Sequence, residues 1–413
     1  MNANPKDRCD HRRRRPVTGR RAVAVAALVA QLALGRGVAA ATSESLVLPN
    51  DPLQGRLLFE SKRCSQCHAL SGRGKGIGPA LGEGHFSGTF FDLGAALWNH
   101  APGMSTEIEG HKLAWPQLSA DDALSLVAFL YFIDYLGRPG DPTAGRQLFS
   151  VRGCSTCHTV GGPRATRGPD LARLQRFASP LDVAQAIWNH GPGMLKIMNE
   201  LNIQPPVFGG GDLADLSAYI RQASRPGPQE RLMASPGSPV RGATMFESKG
   251  CITCHSVRGR GGRGGPDLAR VDLHRPAEAI AATMWNHAVG MRGQMQAKRI
   301  AWPSFTTAEL ADLMAYLYYL PFADPPGDAV RGARVFTSHS CATCHATTNP
   351  LHPAPALATS QATHSPASLV AAMWNHAPVM RDAIVGAGRP WPGLGGADLR
   401  DLFAYLQGEA NRK

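Results

Sequence analysis

Cysteine and histidine recur in this chain in one fixed arrangement. Four Cys-Xaa-Xaa-Cys-His pentapeptides join Cys64 and Cys67 to His68, Cys154 and Cys157 to His158, Cys251 and Cys254 to His255, and Cys341 and Cys344 to His345. Two thiols at this spacing can form thioether bonds to the two vinyl groups of one porphyrin, and the adjoining imidazole reaches the iron. The pattern therefore predicts four covalently bound haem c groups, with the four histidines as proximal iron ligands. Eight of the nine cysteines lie in these motifs, and the ninth is Cys9, so no thiol is left for disulfides. Paired Cys-Xaa-Xaa-Cys motifs could also hold zinc, and a single pair could exchange disulfides. Neither chemistry explains a histidine after every pair.

The first cysteines are spaced by 90, 97 and 90 residues, which divides the chain into four small units. A bare domain of that size has a marginal core, and a covalently held porphyrin would supply the missing apolar surface. Each unit repeats four landmarks. An entry helix carries Gly and Phe four apart (Gly55 and Phe59, Gly145 and Phe149, Gly242 and Phe246, Gly332 and Phe336). A proline follows the motif histidine by ten or eleven residues, at Pro79, Pro169, Pro266 and Pro355. A Trp-Asn-His segment ends in methionine, from Trp98 to Met104, Trp188 to Met194, Trp285 to Met291 and Trp374 to Met380. An amphipathic helix closes the unit, with Leu399, Leu402, Phe403 and Leu406 spaced to bury one face.

Domains are expected at 51–138, 141–225, 240–322 and 329–408, with a Pro-, Gly- and Ser-containing linker at 226–239. Short turns join the first unit to the second and the third to the fourth. The first and third units share an aromatic ending, Phe129-Leu130-Tyr131-Phe132 and Tyr316-Leu317-Tyr318-Tyr319. This reads as a two-haem module written twice, with its most mobile joint in the middle.

The N-terminus combines Arg12 to Arg15, an apolar run from Ala22 to Leu34 and a small-residue stretch at Val38 to Ala41. It reads as a cleaved signal peptide over 1–41, and the run falls short of the roughly 20 residues of a membrane span. A retained anchor is the alternative to cleavage. A periplasmic or otherwise exported protein is expected, free or peripherally associated with a membrane. The formal charge is +12, but residues 1–41 hold nine Lys or Arg and two Asp, which leaves +5 for the rest. Eight haem propionates would offset that remainder, so nothing argues for a nucleic-acid partner.

Over the whole mature chain the pattern resembles class I cytochrome c domains, repeated four times. The resemblance implies an all-α fold of four tandem units, each wrapped round one haem. The Gly-Xaa-Xaa-Xaa-Phe helix would pack across the terminal helix, which here carries Leu-Val-Ala-Phe-Leu, Leu-Ser-Ala-Tyr-Ile, Leu-Met-Ala-Tyr-Leu and Leu-Phe-Ala-Tyr-Leu. Each proline would set a backbone carbonyl against the motif histidine's second nitrogen. The family places a ligand methionine after an Asn-Gly helix end. Here Asn-His holds that place, and Met104, Met194, Met291 and Met380 fall in register as the favoured distal ligands. The alternative distal set is His100, His190, His287 and His376. If methionine ligates, these histidines are expected to bond a propionate or a backbone carbonyl. The tryptophans are expected to pack against haem in the core.

Two function classes follow. Haems with both axial positions filled leave no open iron, which predicts a non-enzymatic carrier of single electrons between redox partner proteins, donor and acceptor unknown. The alternatives are a haem enzyme, of peroxidase or sulfur-compound dehydrogenase type, or an electron-transfer subunit of a larger oxidoreductase.

Overall fold

The computed structural model describes residues 52–70, 77–81, 88–135, 137–163, 167–173, 179–224, 237–346, 354–357 and 360–411. The expected leader at 1–41, and all but the last three residues of the expected linker at 226–239, lie outside the described residues.

The landmarks become the same helices four times. Entry helices span Pro52–Ser61, Pro142–Val151, Pro239–Ser248 and Ala329–Ser338. Terminal helices span Ala120–Tyr135, Asp212–Ala223, Thr307–Tyr319 and Gly396–Ala410. Between them run long helices at Phe90–Gly110, Pro180–Glu200 and Pro366–Gly386, and in the third unit a pair, Ala277–Asn286 and Ala288–Ala297. The expected all-α fold gains one small exception, a hairpin pairing Ser256–Val257 with Arg260–Gly261.

Within each unit the entry helix crosses the terminal helix at its glycine. A Cβ added to Gly55, Gly145, Gly242 or Gly332 would run into the carbonyl oxygen of Ser125, Asp215, Asp312 or Asp401. No other residue fits so close an approach. One turn later the entry phenylalanine meets the terminal-helix aromatic, with centroids 5.6 to 5.7 Å apart in Phe59–Phe129, Phe149–Tyr219, Phe246–Tyr316 and Phe336–Tyr405. In three units the terminal helix adds a buried aspartate. Asp215, Asp312 and Asp401 accept from the backbone N–H of Asp141, Ser238 and Asp328 at 2.8, 2.6 and 2.9 Å, and each pairs with an arginine, Arg138, Arg241 or Arg331. This aspartate fastens the start of the entry helix to the end of the unit.

The expectation of two tandem modules is corrected by how the units pair. The first unit packs on the fourth and the second on the third, through a reciprocal exchange of the Trp-Asn segments. The indole N–H of Trp98, Trp374, Trp188 and Trp285 donates to the carbonyl of Pro392, Pro116, Pro303 and Pro206 in the paired unit, at 2.7, 2.7, 2.8 and 2.9 Å. The next residue grips the same loop with two bonds. Asn99, Asn375, Asn189 and Asn286 both donate to and accept from the backbone of Leu394, Leu118, Phe305 and Phe208. The Trp-Asn pair is thus a lock between units; the four tryptophans are buried as expected, and their indole N–H bonds add this joining role.

A second set of tryptophans closes the lock for a reason rooted in the helix. Pro102, Pro192 and Pro378 lie inside the long helices and donate no N–H to the carbonyl four residues earlier, that of Trp98, Trp188 and Trp374. Those carbonyls accept instead from the indole N–H of Trp391, Trp302 and Trp115, at 3.2, 3.1 and 3.0 Å. The third unit has Val289 at the proline position, and Trp285 O accepts from the His287 N–H. Its paired unit has Pro205 where the others have the second tryptophan.

The two locked pairs meet through the aromatic endings of the first and third units. The hydroxyls of Tyr318 and Tyr319 donate to the carbonyls of Tyr131 and Ala128, and Tyr135 donates to Ala311 O. Tyr131 stacks on Phe322 at 3.7 Å. The spatial order of these contacts is fourth, first, third, second.

Candidate haem-binding sites

Each motif forms one tight turn. The residue before the first cysteine sits in the left-handed region, as Arg63, Gly153, Gly250 and Ser340 at φ of 65, 78, 82 and 61°. The motif histidine's N–H then bonds back to the carbonyl of the first cysteine at 2.9 to 3.0 Å in all four units. The eight motif cysteines are unpaired and partly buried. Burial raises the thiol pKa of Cys64, Cys154 and Cys341, and carries that of Cys251 to about 11. A thiol poised for disulfide exchange needs the opposite shift. Among the described residues no three His, Cys, Asp or Glu side chains gather as a metal site, so the cysteine pairs do not converge on a zinc centre.

The expected proline carbonyls stand where the resemblance implied. Nδ1 of His68, His158, His255 and His345 lies 3.0, 3.1, 3.2 and 3.0 Å from the carbonyl oxygen of Pro79, Pro169, Pro266 and Pro355. An N–H on Nδ1 donating there fixes the ring and leaves the Nε2 lone pair for a metal. Sequence reasoning passed over the glycine before three of these prolines. Gly78, Gly168 and Gly265 donate their N–H to the carbonyl of the second motif cysteine, at 3.1, 2.8 and 2.7 Å. A Cβ at any of them would sit 2.5 to 2.6 Å from the motif imidazole's Cε1. The recurring Gly-Pro dipeptide was the available signal. The fourth unit has Ala354 there, with the proline one residue closer to its histidine.

On the long helices the two distal candidates differ in surroundings. Met104, Met194, Met291 and Met380 are half-buried, whereas His100, His190, His287 and His376 are exposed. Nδ1 of each histidine lies 2.7 to 2.9 Å from the carbonyl four residues back in its own helix, that of Ala96, Ala186, Thr283 or Ala372. A bond to a backbone carbonyl is one of the two expected for these histidines.

In the second unit these parts converge on one cavity of about 280 Å³. Cys154, Cys157, His158, His190 and Met194 all line it. The rest is largely apolar, including Phe149, Leu216 and Trp285 from the third unit. Thiols for thioether bonds, an imidazole with its Nδ1 committed, a distal sulfur and an apolar surround are the donor set that haem c requires. The residues present fit the group.

Among the described residues no helix is long and apolar enough to cross a membrane. No curated protein and no solved structure matches the chain. The family model for cytochrome c matches twice in tandem, over residues 239–321 and 329–409, which are the third and fourth units. Those two regions imply covalently bound haem c and haem-based electron transfer.

Proposed function

We propose that this chain is an exported tetrahaem cytochrome that passes single electrons between redox partner proteins and catalyses no bond chemistry of its own. In each unit the two motif cysteines would hold haem c as thioethers, His68, His158, His255 or His345 would ligate the iron as the proximal ligand, and Met104, Met194, Met291 or Met380 would be the favoured distal ligand. Haem supplies a one-electron iron couple when bound. The chain's own residues cover it, orient the proximal ring and fill both axial positions.

The observation that carries this reading is the proximal bond repeated in all four units, with the motif histidine's Nδ1 within 3.2 Å of the downstream proline carbonyl. The first two units, outside the matched regions, carry it as regularly as the last two. Methionine is favoured over histidine because the methionines are half-buried in all four units while the histidines are exposed. Export rests on the basic and apolar leader read at 1–41.

A denaturing gel stained for haem, with the intact mass of the purified protein, tests the count. Four haems are expected, and two, confined to a fragment containing residues 239–409, would overturn the reading for the first half. A ferric spectrum with the long-wavelength sulfur-to-iron charge-transfer band is expected from methionine ligation. Absence of that band at all four haems would refute it, and a high-spin ferric signal would move the assignment toward a haem enzyme.

A further inference from the structure

The four locking tryptophans are not equivalent. Trp98, Trp188 and Trp374 are covered by an indole of the paired unit, with centroids 4.1, 4.2 and 4.3 Å apart in the pairs with Trp391, Trp302 and Trp115. The unit paired with Trp285 has Pro205 at the sequence position of that indole, and the aromatic neighbour of Trp285 is Phe208 at 6.5 Å. It is 5% exposed, held by its N–H bond to Pro206 O and by the two bonds of Asn286 to Phe208. It borders the cavity of the neighbouring unit, which Cys154, Cys157 and His158 also line. Gly191 makes room for it where the other units have Ala101, Ala288 and Ala377. A Cβ on Gly191 would lie 3.0 Å from Trp285 Cζ3.

We propose that Trp285, a residue of the third unit, is a positioning residue for the haem of the second, and that it raises that haem's reduction potential. The proposal rests on the tetrahaem reading. Ferric haem carries one more positive charge than ferrous haem, and a charged state is disfavoured where an apolar wall replaces water. An indole fixed across a unit boundary forms part of that wall. In the other locked pair, Met104 and Trp115 of the first unit pack against a buried cluster that includes Trp374 of the fourth. The redox properties of the second unit's haem then depend on the unit paired with it in space.

The test is a spectroelectrochemical titration of the holoprotein, with the wave of the second unit identified by its loss in a Cys154→Ala, Cys157→Ala double variant. Trp285→Ala is expected to lower that wave and leave the other three in place, whereas Trp285→Phe retains most of the potential. Trp188→Phe loosens the same interface without touching the cavity wall and is expected to leave the wave where it was. The proposal is overturned if Trp285→Ala does not move the second unit's wave, if it moves the third unit's wave instead, or if Trp188→Phe moves the second wave equally. Should Trp285→Ala fail to fold, Gly191→Ala displaces the ring by a few tenths of an ångström while favouring the helix. That variant must shift the same wave, and an unmoved wave overturns the proposal. Failure of the tetrahaem reading is distinguished by the haem count, because the second unit of the unaltered protein would then carry no covalent haem.

Discussion

Replacing Trp115 by phenylalanine isolates one bond of the lock. The ring that stacks on Trp374 at 4.3 Å is largely kept, and the indole N–H that donates to Trp374 O at 3.0 Å is lost. That carbonyl has no helical donor, because Pro378 occupies the position four residues on, and its residue is buried. A buried acceptor left without a partner costs about 1–3 kcal/mol, so Trp115→Phe should destabilise the fold by about that amount. Pro378→Ala restores a backbone N–H that can reach the same carbonyl. In that background the penalty should fall below about 1 kcal/mol, which gives a coupling of about 1–2 kcal/mol across the cycle. Urea unfolding of the four holoproteins measures it, with far-UV circular dichroism and haem absorbance compared for coincident transitions. Neither substitution touches a haem motif. Additivity within about 0.5 kcal/mol would refute the claim that proline and tryptophan share this carbonyl.

Three further outcomes are expected. The Asp401 carboxyl resists burial through its bonds from Arg331, the Asp328 N–H and Arg400, which together hold its pKa down to about 2. A depressed carboxylate stabilises the fold above its unfolded pKa of about 4, and that stability is lost as pH falls toward 2. Asp401→Asn should therefore flatten the acid limb of a pH-dependent urea midpoint series; an unchanged limb would refute the assignment. Burial beside the first unit's Gly137 raises Glu278 to about 7, opposed by its own N–H and Arg138. Its neutral form favours folding below about pH 4.5, a contribution lost as pH rises through 7, so Glu278→Gln should hold the midpoint more level over that range. Gly145→Ala drives a Cβ into the Asp215 carbonyl and should cost about 1–3 kcal/mol, read as a lowered thermal midpoint of the holoprotein.

Much of each unit was legible from local sequence. The crossing of entry and terminal helices follows from a glycine and a phenylalanine four apart, and the proximal carbonyl from a proline ten or eleven residues past the histidine. The aromatic endings of the first and third units were visible as a likeness, but their contact with each other was not. The burial of the Trp-Asn tryptophans is legible from residue type, but their joining role is not, because the hydrogen bonds of the segment link residues 78 to 295 positions apart. One signal of the pairing was present: the third unit alone lacks the helix proline and the second alone lacks the second tryptophan, which is the match expected of partners.

The sequence by itself determined the geometry of the motif turns and the division into four helical units, because both rest on contacts within some ninety residues and on backbone constraints of glycine and proline. Only the tertiary structure decided that the first unit pairs with the fourth and the second with the third. That choice depends on which carbonyls remain without donors after the helices form, and on which neighbour brings an indole or amide to satisfy them.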